Sequence, residues 1–457
     1  MTAEHENAEG TGGRQTRASL LRGAAGALGA GLLAACGVAR DGGGAVAPSG
    51  TGAPVPIEFW YTLPDTHPTG KARADALAVA ERASGGAFTI TYNEASGAGM
   101  AKVVAAVAAG TPPGFLIDYP YYAAQLFLKG AMVDVEQELK GVTAWGRARA
   151  NIPPAFLEGV RWMGNTVAIP FQISQQAMMY APDQLEKAGV APPAPTWTWA
   201  DFEELSKRAA RPPDVWGMSV GWRSSTWQLM AGSNGVSWLS KDQTKVSFTQ
   251  PENLAGVEFL QKYTYGLGLM PIGNNQKSAG ELMIKGQTVF EPQGPYRVPD
   301  MRKAGVTRFG AALWPRGPQK PTPYHWGTLY STIVFKNPDP AKQRAATQAA
   351  VGALSDEAQA AHVMADLGLP VTKSAREAPA LQRFVAQEPV VKAFADMFPY
   401  CDVWPAIPSG DEMRQILDRT MLQLYEQKAG IKDAMAAAER ELQGVHDAYV
   451  AQTQARK

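Results

Sequence analysis

The sequence predicts an α/β protein with two lobes and a cleft between them, and three observations support that expectation. Short apolar runs alternate with helical spacing over residues 56–130. The alternation restarts near Ser174 and continues to Phe335. The chain has 457 residues, long enough to build more than one hydrophobic core.

In the first unit, residues 56–61 read as a buried strand, with Ile57, Phe59 and Tyr61 alternating with Glu58 and Trp60. Residues 71–84 have helical spacing, with Ala76, Val79, Ala80 and Ala83 on one side. A strand over 87–93 alternates through Phe88, Ile90 and Tyr92. A helix over 99–109, an apolar strand over 115–119 and a helix over 121–129 that stops at Gly130 complete the unit. This order is the signature of a parallel sheet with right-handed crossovers. In the second unit, residues 177–180 are apolar, and a helix over 182–188 stops at Gly189. A helix over 199–210 carries Asp201, Glu203 and Glu204 in its first turn, where the dipole favours acids. Strands are expected over 216–220, 246–248, 288–291, 309–314 and 328–335, with a helix over 251–266. Beyond residue 380 the chain reads as mainly helical. Two such units joined by several crossings leave a cleft, the usual place for a small ligand.

The N-terminus has a different character. Arg14, Arg17 and Arg22 precede an uncharged run over 23–35 built from Gly, Ala and Leu. The run is too short to span a bilayer as a helix, and the arrangement describes a secretory signal. It ends Leu33-Ala34-Ala35-Cys36, which resembles the lipobox of bacterial lipoproteins and implies acylation of Cys36. Residues 16–22 are similar to a twin-arginine export signal, except that Ala18 stands where the second Arg belongs. Residues 37–55 are rich in Gly, Ala, Pro, Ser and Thr, and such a segment acts as a flexible tether. With Cys36 lipidated, Cys401 is alone and no internal disulfide is expected. The lipid is then the expected anchor to the membrane. A net charge of +1 with interspersed signs argues against nucleic-acid partners.

Catalytic signals are few. The five histidines, His5, His67, His325, His362 and His446, show no metal-ligand spacing. No phosphate loop is present, and neither metal nor cofactor is expected. His362 and His446 lie in amphipathic stretches and are expected at the surface or its edge. Gly217-Met218-Ser219-Val220-Gly221 fits the nucleophile-elbow pattern of hydrolases. That elbow needs a sharp turn at the serine, whereas 216–220 reads as continuous strand, so Ser219 is expected to be an ordinary strand residue. An exported hydrolase using Ser219 and Glu291 is the competing reading.

The aromatic residues say more. Among 12 tryptophans, Trp60, Trp222, Trp227, Trp326 and Trp404 sit where strands end or loops begin. Tyr61, Tyr119, Tyr121, Tyr296 and Tyr400 join them. A sugar ring stacks its C–H face on an aromatic plane, and its hydroxyls need amide, carboxylate and Arg partners. Asp65, Glu94, Asp118, Gln172, Gln228, Glu291 and Arg297 lie beside these aromatics. Glu291 closes an apolar run and precedes Pro292-Gln293-Gly294-Pro295-Tyr296. A carboxylate at the C-terminal end of a strand points toward the crevice of an open α/β sheet; the alternative is a surface Glu capping the next helix.

In this order the segments resemble the carbohydrate-binding cluster of extracellular solute-binding proteins of ABC importers. Ile57-Glu58-Phe59-Trp60-Tyr61 is similar to the family's opening strand. Gly110-Thr111-Pro112-Pro113-Gly114-Phe115 is similar to its G-x-x-P-D segment, with Gly114 in place of Asp. Gly164-Asn165-Thr166-Val167-Ala168-Ile169-Pro170, followed by Met179-Tyr180-Ala181, resembles its next signature. Residues 183–189 and Pro193-Ala194-Pro195-Thr196-Trp197 match its A-G-x-x-P-P-x-T-W stretch. Residues 281–290 and Gly368-Leu369-Pro370-Val371 stand for its later elements.

The resemblance implies a periplasmic-binding-protein fold, with two α/β lobes joined by hinge strands and closing on a ligand. Lobe 1 would comprise residues 56–171 plus 328–372, and lobe 2 residues 172–327 plus 373–457, after a signal over 1–36. It further implies an extracytoplasmic, monomeric, non-enzymatic binder that hands a carbohydrate to ABC permease subunits. Expected ligand contacts are Trp60, Tyr61, Asp65, Glu94, Asp118, Tyr119, Gln172, Trp222, Trp227, Glu291, Tyr296, Arg297, Trp326 and Trp404. Gly221-Trp222 and Trp227 also resemble the glycerol-phosphate-binding branch, which would place an Arg in the C-terminal segment. The comparable loop, Tyr400-Cys401-Asp402-Val403-Trp404-Pro405, has none, which favours a neutral sugar.

Overall fold

The computed structural model describes residues 53–456 apart from 62–67, 96–98, 236, 273–280, 321 and 367. The expected signal, Cys36 and nearly all of the tether lie outside the described residues, as does Asp65.

The strands in chain order are β1 (Val55–Tyr61), β2 (Phe88–Glu94), β3 (Phe115–Asp118), β4 (Arg161–Trp162), β5 (Asn165–Thr166) and β6 (Ile169–Tyr180). They continue as β7 (Trp216–Met218), β8 (Thr288–Gln293), β9 (Gly310–Ala312), β10 (His325–Val334), β11 (Leu369–Pro370) and β12 (Cys401–Val403). β4 and β5 pair only with each other. The main sheet runs β2-β1-β3-β10-β6-β8-β7, with β9 and β11 on β6 and β12 on β10.

The expected crossovers are present. β1 pairs parallel with β2 and with β3, and the helices Pro68–Ala83 and Gly99–Ala108 make the connections. Phe59 and Phe115 are fully buried and stand 5.2 Å apart between ring centroids. On β1 the inward side chains Ile57 and Phe59 alternate with the exposed Glu58, so the period-2 reading holds here.

β6 holds the two groups of strands together. Its residues from Ile169 to Gln176 pair antiparallel with β10, whereas Ala177 to Tyr180 pair with β8 and β9. The apolar end of this strand, residues 177–180, was legible in the sequence, but its first eight residues were not. β12 was likewise not expected. Its parallel pairing with β10 brings Cys401 Sγ to 2.7 Å from where a Cβ on Gly327 would sit, so glycine is needed there. Conversely, the strand expected over 246–248 is absent, and Val246 makes only an isolated bridge to Leu239.

The C-terminal helices Gly410–Tyr425 and Ile431–Gln454 pack on one another. They contact both the helix Ser224–Ser233 side of the molecule and the helix Pro120–Leu128. Among the described residues no helix is long and apolar enough to cross a membrane.

Both helical histidines expected at the surface are buried. His446 bridges two segments, with Nδ1 2.8 Å from Ser409 Oγ and Nε2 2.8 Å from the Gln243 carbonyl. His362 meets the Phe171 ring edge-on at 5.1 Å. Amphipathic spacing placed them beside a polar face, but the long helices of this fold are covered on more than one side.

Candidate ligand cavity

A cavity of about 320 Å³ opens where the ends of β3, β8 and β10 meet the helix Ser224–Ser233 and the C-terminal helix Gly410–Tyr425. Its size falls at the lower end of the range for small-molecule sites.

One wall follows β3. Asp118 Oδ1 accepts a hydrogen bond from the Tyr119 backbone N–H at 2.8 Å, fixing the turn before Pro120 begins its helix. Proline at a first helical position costs no hydrogen bond. Tyr119 and Tyr121 then stack at 5.1 Å with planes 8° apart, and both line the cavity. Burial pushes both phenol groups above their usual pKa, Tyr121 strongly so, and their hydroxyls stay protonated.

A second wall follows β8. Gly294 has no room for a side chain, since a Cβ would stand 2.5 Å from the Tyr296 ring and 2.8 Å from the Gln175 carbonyl. Tyr296 therefore folds back over the turn into the cavity. Its hydroxyl donates to Gln293 Oε1 at 3.0 Å, and Gln293 Nε2 donates to Glu291 Oε1 at 2.7 Å. Glu291 is only 2 % exposed and stands behind the wall. Burial raises its pKa to about 7, against the pull of Gln293 and Arg297.

That shift has a testable consequence. A carboxyl whose folded pKa exceeds its unfolded value supports the fold fully below the unfolded pKa, and the support is lost as pH rises through the folded one. Glu291→Gln is therefore expected to gain in melting temperature over the parent as pH rises from about 4.5 to 7. The buried histidines His325 and His362, held down to about 3 by burial, act in the opposite sense on acidification. They are common to both proteins and cancel in the difference. A gap that stays constant over this window would refute the assignment.

The third wall is aromatic. Trp326 at the start of β10 and Trp404 just after β12 stand 6.0 Å apart between ring centroids, and Trp404 is 6.0 Å from Trp238. Trp326 sits opposite Gln176 in the β6–β10 register, and both residues line the cavity.

The fourth wall is polar. Asp418 caps the helix Ser224–Ser233 from outside, its Oδ1 accepting from Ser224 N–H at 2.8 Å and Ser224 Oγ–H at 2.7 Å. This supplies the acceptor that helix starts need. Arg223, Ser225 and Gln228 face the same space. Gln228 is 3 % exposed, and among the described residues neither its amide oxygen nor its nitrogen has a hydrogen-bond partner. The Trp326 indole N–H, 8 % exposed, has none either. Buried polar groups normally have partners, so both leave hydrogen-bonding capacity unused at the cavity wall.

Of the residues expected at the cleft, Tyr119, Tyr296, Trp326 and Trp404 line this cavity. Asp65 lies outside the described residues, and the structure places the other described ones elsewhere. Trp227 is fully buried, edge-on to Phe248 at 4.9 Å, because on the helix it is turned about 100° from the cavity-lining Gln228. Trp222 is buried against Tyr425 at 5.8 Å. Asp118, Gln172 and Glu291 are buried behind the walls. Tyr61 packs on Phe59, and Arg297 pairs with Asp300 at 2.9 Å. Glu94 is exposed opposite Tyr61 at the end of β2. Trp60 donates to Glu58 at 2.9 Å, lies under Lys102, and lines a separate cavity of about 450 Å³.

Sequence reasoning singled out Tyr121 and Gln228 among the neighbouring aromatic and polar residues. It missed Arg223, Arg414 and Asp418, which also line the cavity. The Arg414/Asp418 spacing reads as an ordinary i,i+4 surface pair, so nothing local marks it. Cations thus reach the cavity although the loop 400–405 carries none. Ser219 is fully buried and its N–H donates to the Phe290 carbonyl at 3.0 Å. Gly217 is required by packing, since a Cβ would stand 2.3 Å from the Tyr263 hydroxyl.

A family model described as bacterial extracellular solute-binding protein matches residues 76–389. No curated protein matches the chain. Among solved structures, an ABC substrate-binding protein from Listeria monocytogenes in complex with cycloalternan is 17% identical, with a TM-score of 0.73 over 86% of this chain and 99% of that one. The cyclic alpha-maltosyl-1,6-maltose binding protein from Arthrobacter globiformis is 18% identical, with a TM-score of 0.73 over 86% and 100%. The sugar-binding protein MalE from Xanthomonas citri is 17% identical, with a TM-score of 0.72 over 88% and 98%. The shared fold is the two-lobed α/β fold of periplasmic binding proteins.

Proposed function

The chain belongs to the bacterial extracellular solute-binding proteins, and on that premise we propose that it captures a small carbohydrate outside the cytoplasm and delivers it to an ABC permease. The observation that carries this reading is the cavity itself. Three pieces of aromatic wall, Tyr119/Tyr121, Tyr296 and Trp326/Trp404, face a polar wall that holds the unpartnered buried amide of Gln228, and the Trp326 indole N–H is likewise unpartnered among the described residues. Aromatic planes suit sugar C–H faces, and a hydroxyl can both accept from Trp326 Nε1 and pair with either atom of the Gln228 amide. The structural neighbours that bind cycloalternan and cyclic maltosyl-maltose support the same class of ligand.

Binding would draw the two groups of strands together about β6 and β10, as hinge closure does in such folds. The rest of the proposal concerns location and partners. Cys36 carries the lipid anchor after removal of the signal, the tether over 37–55 gives reach, and the protein acts as a monomer with lobes divided as above. No covalent step belongs to this reading, and the burial of Ser219 and Glu291 supports a binder over a hydrolase.

Calorimetry of the protein against mono- to tetrasaccharides tests it. Binding with a negative heat-capacity change is expected, and a panel without a single binder would overturn the carbohydrate assignment. Gln228→Leu gives a sharper result because two readouts move in opposite directions. Removing an unpaired buried amide is expected to leave the empty protein as stable as the parent or slightly more so. Affinity is expected to fall about tenfold or more, the hydrogen-bonding share of a buried ligand contact. A variant that loses stability and keeps its affinity would show that Gln228 is structural.

A further inference from the structure

We infer that the carbohydrate is held through a vicinal diol, two free hydroxyls on neighbouring ring carbons that pair with both atoms of the Gln228 amide, and that Gln228 thereby sets specificity at this wall. The inference rests on the carbohydrate reading above and deepens it.

It starts from the state of one side chain. Gln228 lines the cavity and is 3 % exposed, and among the described residues neither Oε1 nor Nε2 has a hydrogen-bond partner. The helix Ser224–Ser233 that carries it is held firmly at its start. Asp418 accepts two hydrogen bonds from Ser224, and Thr226 Oγ1 donates to the Gly221 carbonyl at 2.6 Å. A donor and an acceptor therefore stand side by side on a fixed element, and such pre-organisation lowers the cost of binding.

Chemistry limits what can meet both atoms. Oε1 and Nε2 are bonded to one carbon, and a hydrogen bond weakens steeply when bent. One ligand oxygen makes a straight bond to only one of them and leaves the other unmatched in a buried position, which is costly. A carboxylate accepts but does not donate, so it serves Nε2 and opposes Oε1. An N-acetyl group points its N–H and C=O in opposite directions across a trans amide, so it too reaches one atom. Two gauche hydroxyls on neighbouring carbons stand side by side, and each donates or accepts as required. One accepts from Nε2 while the other donates to Oε1. A glutamine amide reads the adjacent donor and acceptor of adenine in the same two-point way.

The rest of the cavity agrees with this mode. A pyranose that lays a C–H face on an aromatic wall keeps its hydroxyls along its edge, on successive carbons. The Trp326 indole N–H, also unpartnered among the described residues, donates to a further hydroxyl. A single ring brings the whole diol, so a monosaccharide is enough to make the contact.

The test is calorimetry of the full chain with glucose, galactose and the deoxy sugars that each lack one hydroxyl of either. In the parent, removal of either of two neighbouring hydroxyls is expected to weaken binding about tenfold or more. In Gln228→Leu those two losses are expected to vanish, each deoxy sugar binding as the full hexose does, because their shared partner is gone. Loss of the hydroxyl that meets Trp326 is expected to cost the same in both proteins. Losses that Gln228→Leu abolishes at two separated hydroxyls, at one alone or at none would overturn the inference. A protein that takes a longer saccharide but neither hexose would also overturn it. In each of these cases the carbohydrate reading stands, whereas a panel without any binder removes both. If Gln228→Leu does not fold, Gln228→Met removes the same polar atoms from a side chain of similar length. The parent gives a check that needs no variant, since a deoxy series without two neighbouring losses is inconsistent with a diol contact.

Discussion

Replacing Trp227 with alanine is expected to destabilise the protein by about 3–5 kcal/mol, the range for deleting a large aromatic from a core. The side chain is 0 % exposed and its ring meets Phe248 edge-on at 4.9 Å. It lies on the helix Ser224–Ser233, whose other face carries Gln228 into the cavity. Truncation leaves a void inside the helix packing, and neighbours relax into it only in part. Urea unfolding should show a lower midpoint with an unchanged slope, as expected when stability alone changes. Ligand affinity measured on the folded protein, well below the transition, should change far less than stability. The opposite pattern, affinity lost and stability kept, would restore Trp227 to the ligand site, where sequence reasoning put it.

Trp404→Ala should behave the other way. Trp404 is half-buried, faces the cavity, and completes a row with Trp326 and Trp238. Its loss removes a flat apolar surface from the ligand side, with less packing to lose on the protein side. Affinity is expected to drop by about 2 kcal/mol, roughly thirtyfold, the scale of a tryptophan that anchors a buried contact. Trp404→Phe should retain most of the affinity, because a smaller plane still stacks. Calorimetry with any saccharide that binds the parent decides this, and an unchanged affinity in Trp404→Ala would dismiss the aromatic row as a binding platform.

The pair of tryptophans shows how much of the site was readable in advance. Residue type was legible: the cavity is walled by tyrosines and tryptophans that flank strand ends, as the sequence suggested. Facing was not. Trp227 and Gln228 are adjacent in sequence, yet one is in the core and the other points into the cavity. A helix turns about a hundred degrees per residue, so the choice depends on which side the neighbouring elements pack. The long strand β6 failed for a related reason. Gln172, Ser174, Gln175 and Gln176 break the apolar pattern, yet all but the last are buried. Their polarity hides the strand from a reading by apolar alternation. In the structure it is flanked by β10 along Ile169–Gln176 and by β8 along Ala177–Tyr180, so pairing with neighbours, which no local window contains, makes it a strand.

By itself, the sequence determined the α/β class and the first three parallel strands with their crossovers, because alternating burial on strands and small-residue turns are properties of neighbours along the chain; the order of its motifs carried the resemblance to the family. Only the tertiary structure decided which aromatics face the cavity, that Asp118 and Glu291 stand behind its walls, and that Arg223, Arg414 and Asp418 line one cavity. The physical reason is distance along the chain. Ser224 and Asp418 are 194 residues apart yet joined by two hydrogen bonds of 2.8 and 2.7 Å, and the charge inside the cavity depends on that contact.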